Sequence, residues 1–200
     1  MKYLVSLLFS LLLTVSSLSA QSTATGWLSA LNASLGSRYA LDFSVAVDGE
    51  QLSGYYMVDG DGYYMSLGVM EVYSDGKLRY EINNERREVT EDRVNLKAQD
   101  LLTNPTRAFY FVESEYEVSI VSESASDVVL SLVPRGSELD FSHIALTLGR
   151  SNARVLPRKI VYSYEGDTMT IVLLERATGS AKLPRWDKTK YGDYDIVSFL

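Results

Sequence analysis

The sequence predicts a mainly β protein, a large curved antiparallel sheet of about 11 strands with only two short helices to cover it. Three observations lead there. From Arg38 onward apolar residues recur at every second position, the period of a strand with one buried face. Turn signals follow one another at hairpin spacing, at Asp48-Gly49, Asp59-Gly60-Asp61-Gly62, Asp75-Gly76 and Asn83-Asn84, as expected of a meander of short strands. Finally, only residues 22–35 and 97–103 carry a helical pattern.

The chain begins with Lys2, an apolar run over residues 4–15 and small residues up to Ala20, followed by polar Gln21. This three-part order is a secretory signal peptide, so residues 1–20 are expected to be removed and residues 21–200 to form one domain in the periplasm. A membrane-spanning helix needs about 20 apolar residues; this run is shorter and is interrupted by Ser6, Ser10 and Thr14. In residues 22–35, Trp27, Leu28, Leu31 and Leu35 fall on one stripe, and Gly36 is a suitable terminator. Leu41, Phe43, Val45 and Val47 then alternate with Asp42, Ser44, Ala46 and Asp48, and a second extended run covers residues 52–58. Residues 97–103 carry Leu101 and Leu102 among helix-tolerant residues and stop at Asn104-Pro105, which predicts a short helix. Five more strands are predicted around residues 116–121, 128–133, 144–148, 159–164 and 169–174, and residues 194–200 suit a last one.

Alternation gives this sheet one apolar and one wet face. Val118 and Ile120 face in against Glu117 and Ser119; Ile144, Leu146 and Leu148 face in against Ala145 and Thr147. A sheet of this size must curl to bury that face. Either it closes into a barrel and packs its own interior, or it stays partly open with the helices over an apolar hollow.

Composition narrows the function. No cysteine is present, which excludes disulfides, thiolate metal sites and an acylated amino-terminal cysteine. Without Lys2, 18 basic residues face 26 acidic ones, a net charge of −8; a nucleic-acid partner is not expected. His143 is the only histidine, so a Ser-His-Asp triad would have to be built around it alone. Beside Asp140 and Ser142 it reads as a strand-edge histidine. Asp59-Gly60-Asp61-Gly62 lacks the downstream ligands of a calcium loop and reads as a hairpin turn. The acidic pairs Glu113 with Glu115 and Glu91 with Asp92 read as solvated carboxylates. Neither an enzyme nor a cofactor is expected. The 14 tyrosines are more informative: the doublets Tyr55-Tyr56 and Tyr63-Tyr64 give both faces of one hairpin large amphipathic side chains. Ordinary β-propensity and a ligand-lining role both account for them. Met57, Met65 and Met70 on the same stretch suit an apolar site of variable shape, or gap-filling in a core.

Glu71-Val72-Tyr73-Ser74-Asp75-Gly76-Lys77-Leu78-Arg79-Tyr80 combines an apolar strand, a D-G-K turn and an aromatic-rich strand. With Ser53-Gly54-Tyr55-Tyr56-Met57-Val58 before it and Asp127-Val128-Val129-Leu130-Ser131-Leu132-Val133-Pro134 after it, the chain resembles the LolA-type periplasmic lipoprotein carriers over nearly its whole mature length. The resemblance implies an unclosed β-barrel with short helices as a lid over a hydrophobic cavity. It also implies an acylated lipoprotein or other lipid as ligand, passed from an inner-membrane transporter to an outer-membrane acceptor by a monomeric soluble carrier. The expected lining is Trp27, Leu31, Phe43, Val45, Met57, Met70, Val72, Leu78, Tyr80, Leu101, Ile120, Leu130 and Leu146. Two features depart from the family. Gly60-Asp61 stands where an Arg-Pro pair commonly latches the lid, and the tail ends in apolar Phe199-Leu200. Without that arginine the lid is expected to close by apolar contact alone or to rest substantially open. The rival expectation is a periplasmic adaptor with a packed barrel that binds a protein through an edge strand or its tail.

Overall fold

The computed structural model describes residues 23–47, 50–137, 139–176 and 181–200. The expected signal peptide and the Asp48-Gly49 turn lie outside the described residues.

Helix α1 (Ala24–Leu35) opens the fold. The Thr23 side chain accepts a hydrogen bond from the Gly26 amide, filling one of the donors a helix start leaves free, and Gly36 ends the helix at φ 64°. Twelve strands follow among the described residues. They are β1 (Arg38–Val47), β2 (Glu50–Asp59), β3 (Gly62–Leu67), β4 (Met70–Ser74), β5 (Leu78–Asn83), β6 (Glu88–Arg93), β7 (Tyr116–Glu123), β8 (Asp127–Pro134), β9 (His143–Ser151), β10 (Arg154–Ser163), β11 (Thr168–Arg176) and β12 (Asp195–Ser198). All belong to one sheet, in the order β12-β6-β5-β4-β3-β2-β1-β11-β10-β9-β8-β7. The edge strands β12 and β7 do not pair with each other, so the barrel is unclosed.

This order is two meanders joined side by side. Strands β1 to β6 run by hairpins toward one edge, and β7 to β11 run back from the other until β11 pairs with β1. Two long connections must therefore cross the sheet. Residues 94–115 pass from β6 to β7 over the inner face, and residues 181–194 lie against the outer cluster and lead into β12 beside β6. The last strand expected over residues 194–200 forms as β12, but where antiparallel pairing was expected throughout it pairs with β6 in parallel, since it is not joined to β6 by a hairpin.

The predicted helix over 97–103 is not formed. Residues 95–104 are irregular with turns at 96–97 and 101–103, and a single 3-10 turn, Pro105–Arg107, follows. Asp100 Oδ1 accepts hydrogen bonds from the amides of Leu102 and Thr103, and Asn95 Oδ1 from that of Lys97. Such short polar side chains offer amides a partner outside the helix, and a seven-residue segment is too short for helix propagation to compete.

The main core lies between α1, this strap and the inner face. Leu41, Phe43 and Val45 of β1 meet Tyr56 and Val58 of β2, Tyr63 and Met65 of β3, and Val72 of β4; the other meander contributes Val128, Leu130, Leu132, Ile144, Leu146, Leu148, Ile160, Tyr162, Ile171 and Leu173. The alternation inverts toward β6. Arg79 and Glu81 have inner parity, whereas Tyr80, Ile82 and Val89 face out and join Tyr64, Tyr73 and Tyr191 in a second cluster on the outer face. The tail covers it: Trp186 stacks on Tyr80 with centroids 4.6 Å apart, and Tyr191 stacks on Trp186 at 5.1 Å.

Candidate functional site

The apolar inner face is covered by two pieces of chain, each fastened by a few polar contacts. Helix α1 buries Trp27, Leu28, Leu31 and Leu35, the stripe expected from their spacing. Its first turn is tied to the β7 end, where Trp27 Nε1 donates to Glu123 Oε1 at 3.3 Å and the Arg150 guanidinium lies 4.2 Å from the Trp27 ring centroid. Its last turn is tied to β10: Arg154 Nη2 donates to the Ser34 carbonyl at 2.7 Å, and the Val155 amide to Ser34 Oγ at 2.9 Å.

The strap is held by tyrosine hydroxyls rising from the inner face. The Leu101 amide donates to the Tyr162 hydroxyl at 3.2 Å, and that hydroxyl donates to the Gln99 carbonyl at 3.5 Å. The Tyr63 hydroxyl donates to the Thr103 carbonyl at 3.4 Å, and the Tyr39 hydroxyl to the Pro105 carbonyl at 3.3 Å. The Tyr116 hydroxyl donates to Gln99 Oε1, while Gln99 Nε2 donates to Glu115 Oε2 at 2.9 Å. Leu101 beneath the strap is 0% exposed. Burial pushes the tyrosine hydroxyl pKa values up, well above 10 for Tyr162 and in the same direction for Tyr39, Tyr63 and Tyr116, so near neutral pH all four are protonated donors. Closure by apolar contact alone, expected from Gly60-Asp61, is thus corrected: hydroxyl hydrogen bonds supplement it. Both covers are also down in the structure, where an open rest state was expected; Leu31 is 0% exposed.

The 13 residues expected to line a hollow fall into two groups. Trp27, Leu31, Phe43, Val45, Val72, Leu101, Leu130 and Leu146 belong to the main core, with Ile120 packed against it, and Met70 shares the inner parity of Val72. Met57 is on the opposite face, because it pairs with Ala40 and Tyr64 while its neighbours Tyr56 and Val58 face in. Leu78 and Tyr80 have the outer parity of Ile82, and Tyr80 lies under Trp186. Assigning all three to one lining assumed a single apolar face, and the inversion of the alternation in β5 divides them from the rest. The doublets split as their period requires, Tyr56 and Tyr63 inward, Tyr55 and Tyr64 outward. His143 accepts or donates one hydrogen bond with Ser131, 2.9 Å away on the outer parity.

The latch was missed in the sequence. Its signal was present: a tyrosine at an inward strand position brings a hydroxyl that must find a partner once buried, and Tyr39, Tyr63, Tyr116 and Tyr162 all hold such positions. Outside the covers, two clefts flank the strap. One, of about 480 Å3, lies between Leu96, Lys97, Gln99 and Arg107 on one side and Glu115, Pro134, Arg135 and Leu139 on the other. The second, of about 320 Å3, is lined by Asp100, Leu102, Phe141, Tyr164 and Met169 among others. No helix among the described residues is long and apolar enough to cross a membrane.

A mainly β, unclosed barrel whose apolar face lies under a helix and a strap is the architecture that the resemblance to LolA-type carriers implied. No protein-family model and no curated protein matches the sequence. Solved structures do. An uncharacterized conserved protein from Thermus thermophilus aligns with a TM-score of 0.55 at 11% identity, covering 88% of this chain and 98% of that one; the fold is common to almost the whole of both. A LolA superfamily protein from Nitrosomonas europaea aligns at 0.40 with 9% identity, over 84% of this chain and 97% of its own. The MucA/MucB complex of Pseudomonas aeruginosa aligns at 0.40 with 20% identity, over 87% of this chain and 63% of that one.

Proposed function

We propose that the protein is a periplasmic carrier that takes the acyl chains of a lipoprotein, or of another lipid, between the covers and the inner face of the sheet. In this reading it moves them from an inner-membrane donor to an outer-membrane acceptor. One observation carries it: a continuous apolar face spans both meanders, yet its only covers among the described residues are a 12-residue helix and a strap fastened by hydroxyls. A barrel built only for stability could close on itself; this one keeps its edges apart.

The energetics suit reversible binding. Four buried stripe residues contribute about 6–12 kcal/mol of apolar burial, at about 1.5–3 kcal/mol each. An acyl chain of about 15 methylenes contributes about 12 kcal/mol. A chain that displaces α1 therefore exchanges one burial for another of similar size, so it can be accepted and released without chemical energy. No bond need be made or broken, and the reading calls for no catalytic group.

Native mass spectrometry of the protein purified from the periplasm is the test. Bound lipid or lipopeptide is the expected result; a bare chain carrying a tightly bound protein would instead favour an adaptor. The adaptor reading has its own observation: β12 is an edge strand whose Ile196 and Val197 are exposed, as are Phe199 and Leu200 just after it, and such an edge can add a partner strand. Removing residues 195–200 would abolish partner capture on that reading and leave lipid uptake unchanged on the first.

A further inference from the structure

The cleft of about 480 Å3 beside the strap has a charge opposite to that of the chain as a whole. The protein carries a net charge of −7, yet among its described lining residues this cleft sets Arg107 and Arg135, beside Lys97, against one acid, Glu115, whose carboxylate already accepts from Gln99. The two guanidinium groups are fixed in place and only partly used. Arg107 donates Nη1 to the Leu96 carbonyl at 2.7 Å and lies 5.2 Å from the Tyr110 ring centroid, while its Nε is buried with no hydrogen-bond partner. Arg135 donates Nε to the carbonyls of Glu113 and Tyr116, at 3.2 and 3.3 Å, and no described residue engages its Nη donors. A guanidinium held by one edge with other donors unused can offer its fork to two oxygens of one anion, as a phosphate presents them. The volume is that of a small-ligand site, and Leu96 and Tyr110, both exposed, give Arg107 apolar shoulders. Gln99 belongs at once to the cleft wall and to the hydroxyl latch, so the cleft borders the strap that covers the apolar face.

We propose that this cleft seats the phosphate of a lipid whose acyl chains enter beneath the strap, which makes a phosphate-bearing lipid, rather than an uncharged one, the preferred ligand. The proposal rests on the carrier reading and names its ligand class. The group recognised is the phosphate itself, and a free phosphate ion shares that chemistry.

The test titrates the mature protein with dioctanoyl-phosphatidylglycerol, with dioctanoylglycerol, which has the same chains and no phosphate, with inorganic phosphate, and with the neutral probe N-phenyl-1-naphthylamine. The phospholipid is expected to bind about tenfold or more tighter than the diacylglycerol, the size of one charge-assisted hydrogen bond. Arg107→Gln and Arg135→Gln should each erode that preference, and the double variant should abolish it while naphthylamine affinity stays within about twofold. Arg107→Lys and Arg135→Lys, which retain charge without the planar fork, should give intermediate values and guard against loss of fold, checked by thermal melting. Equal affinity of the wild type for the two lipids, or a preference that survives the double substitution, overturns the proposal while naphthylamine binding leaves the carrier reading standing. If neither lipid nor naphthylamine binds, the carrier reading fails and the phosphate titration decides: arginine-dependent binding of phosphate alone keeps the seat with the free ion as its source, and no such binding removes it.

Discussion

Tyr162→Phe isolates the latch, because it removes one hydroxyl from the middle of the strap and leaves the ring in the core. The Leu101 amide loses its acceptor and the Gln99 carbonyl its donor, at a place where Leu101 is 0% exposed and water cannot substitute. A buried donor left unpaired costs about 1–3 kcal/mol, which raises the population with the strap lifted by about 5- to 150-fold. Native-state hydrogen exchange reads this directly, as a matching fall in protection of the amides of residues 99–104 with the central strands β1 and β11 unchanged. Tyr39→Phe is the contrast: its hydroxyl only donates, to the Pro105 carbonyl in a part-buried position, and an under-satisfied carbonyl is tolerated better than an amide, so a fall of less than about threefold is expected. Unchanged protection of 99–104 in Tyr162→Phe would refute the latch. So would a wild type in which these amides exchange as fast as the exposed turn at residues 84–87.

The remaining predictions address the helix, the sheet and the tail. Leu31→Glu should weaken N-phenyl-1-naphthylamine binding by about tenfold or more, whereas Ser29→Glu, on the exposed side of α1, should change it by less than about twofold; equal effects would show that the buried helix face does not border the ligand. Gly54→Ala should lower stability by about 1–3 kcal/mol in a denaturant titration, since a Cβ there would meet the Ser66 carbonyl and the Phe43 ring; a neutral effect would mean that β2 and β3 can part without cost. Burial pushes the Glu71 carboxyl up, but hydrogen bonds from Tyr64, Tyr191, Asn84 and Tyr73 outweigh it and hold the pKa below its ordinary 4.5. A depressed carboxylate stabilises above its unfolded pKa and loses that contribution as pH falls through the folded one, so acidification below about pH 4.5 should loosen the tail, seen as a change in Trp186 fluorescence in a Trp27→Phe background. The change should be absent from Glu71→Gln, and a step that persists there would assign it to another group.

Much of the fold was legible because its elements obey single periods. The stripe of α1 is buried as its spacing requires, and the inward sets of β7 and β9 are those read from alternation. What was not legible depends on where connections cross. Nothing local to residues 94–115 says that they bridge the two edges of the sheet, and Asn95, Asp100 and Asn104 turn the segment into a strap by hydrogen bonds that a periodicity argument does not count. No local pattern assigns Trp186 and Tyr191 a partner; their roles depend on Tyr80 and Tyr73, about a hundred residues away, whose outward parity follows only once β5 is seen to invert.

The inversion explains how so open a sheet remains folded. A single-faced half-barrel would rest its whole stability on the inner core, the very surface a carrier must expose to load. Here part of the aromatic burial lies on the other side. Tyr64, Tyr73, Ile82, Val89 and Tyr191 form a core that α1 and the strap do not touch, and Tyr64, Tyr73 and Tyr191 converge through their hydroxyls on Glu71. Lifting the helix therefore leaves β2 to β6 braced from outside by the tail. Among the described residues the second meander has no such brace: Val172 and Leu174 of β11 and Val133 of β8 are exposed on its outer side, and α1 rests on β10 and β7 of that half. On the carrier reading, loading should accordingly loosen β7 to β10 more than β3 to β5, because only the former lose a cover without holding another.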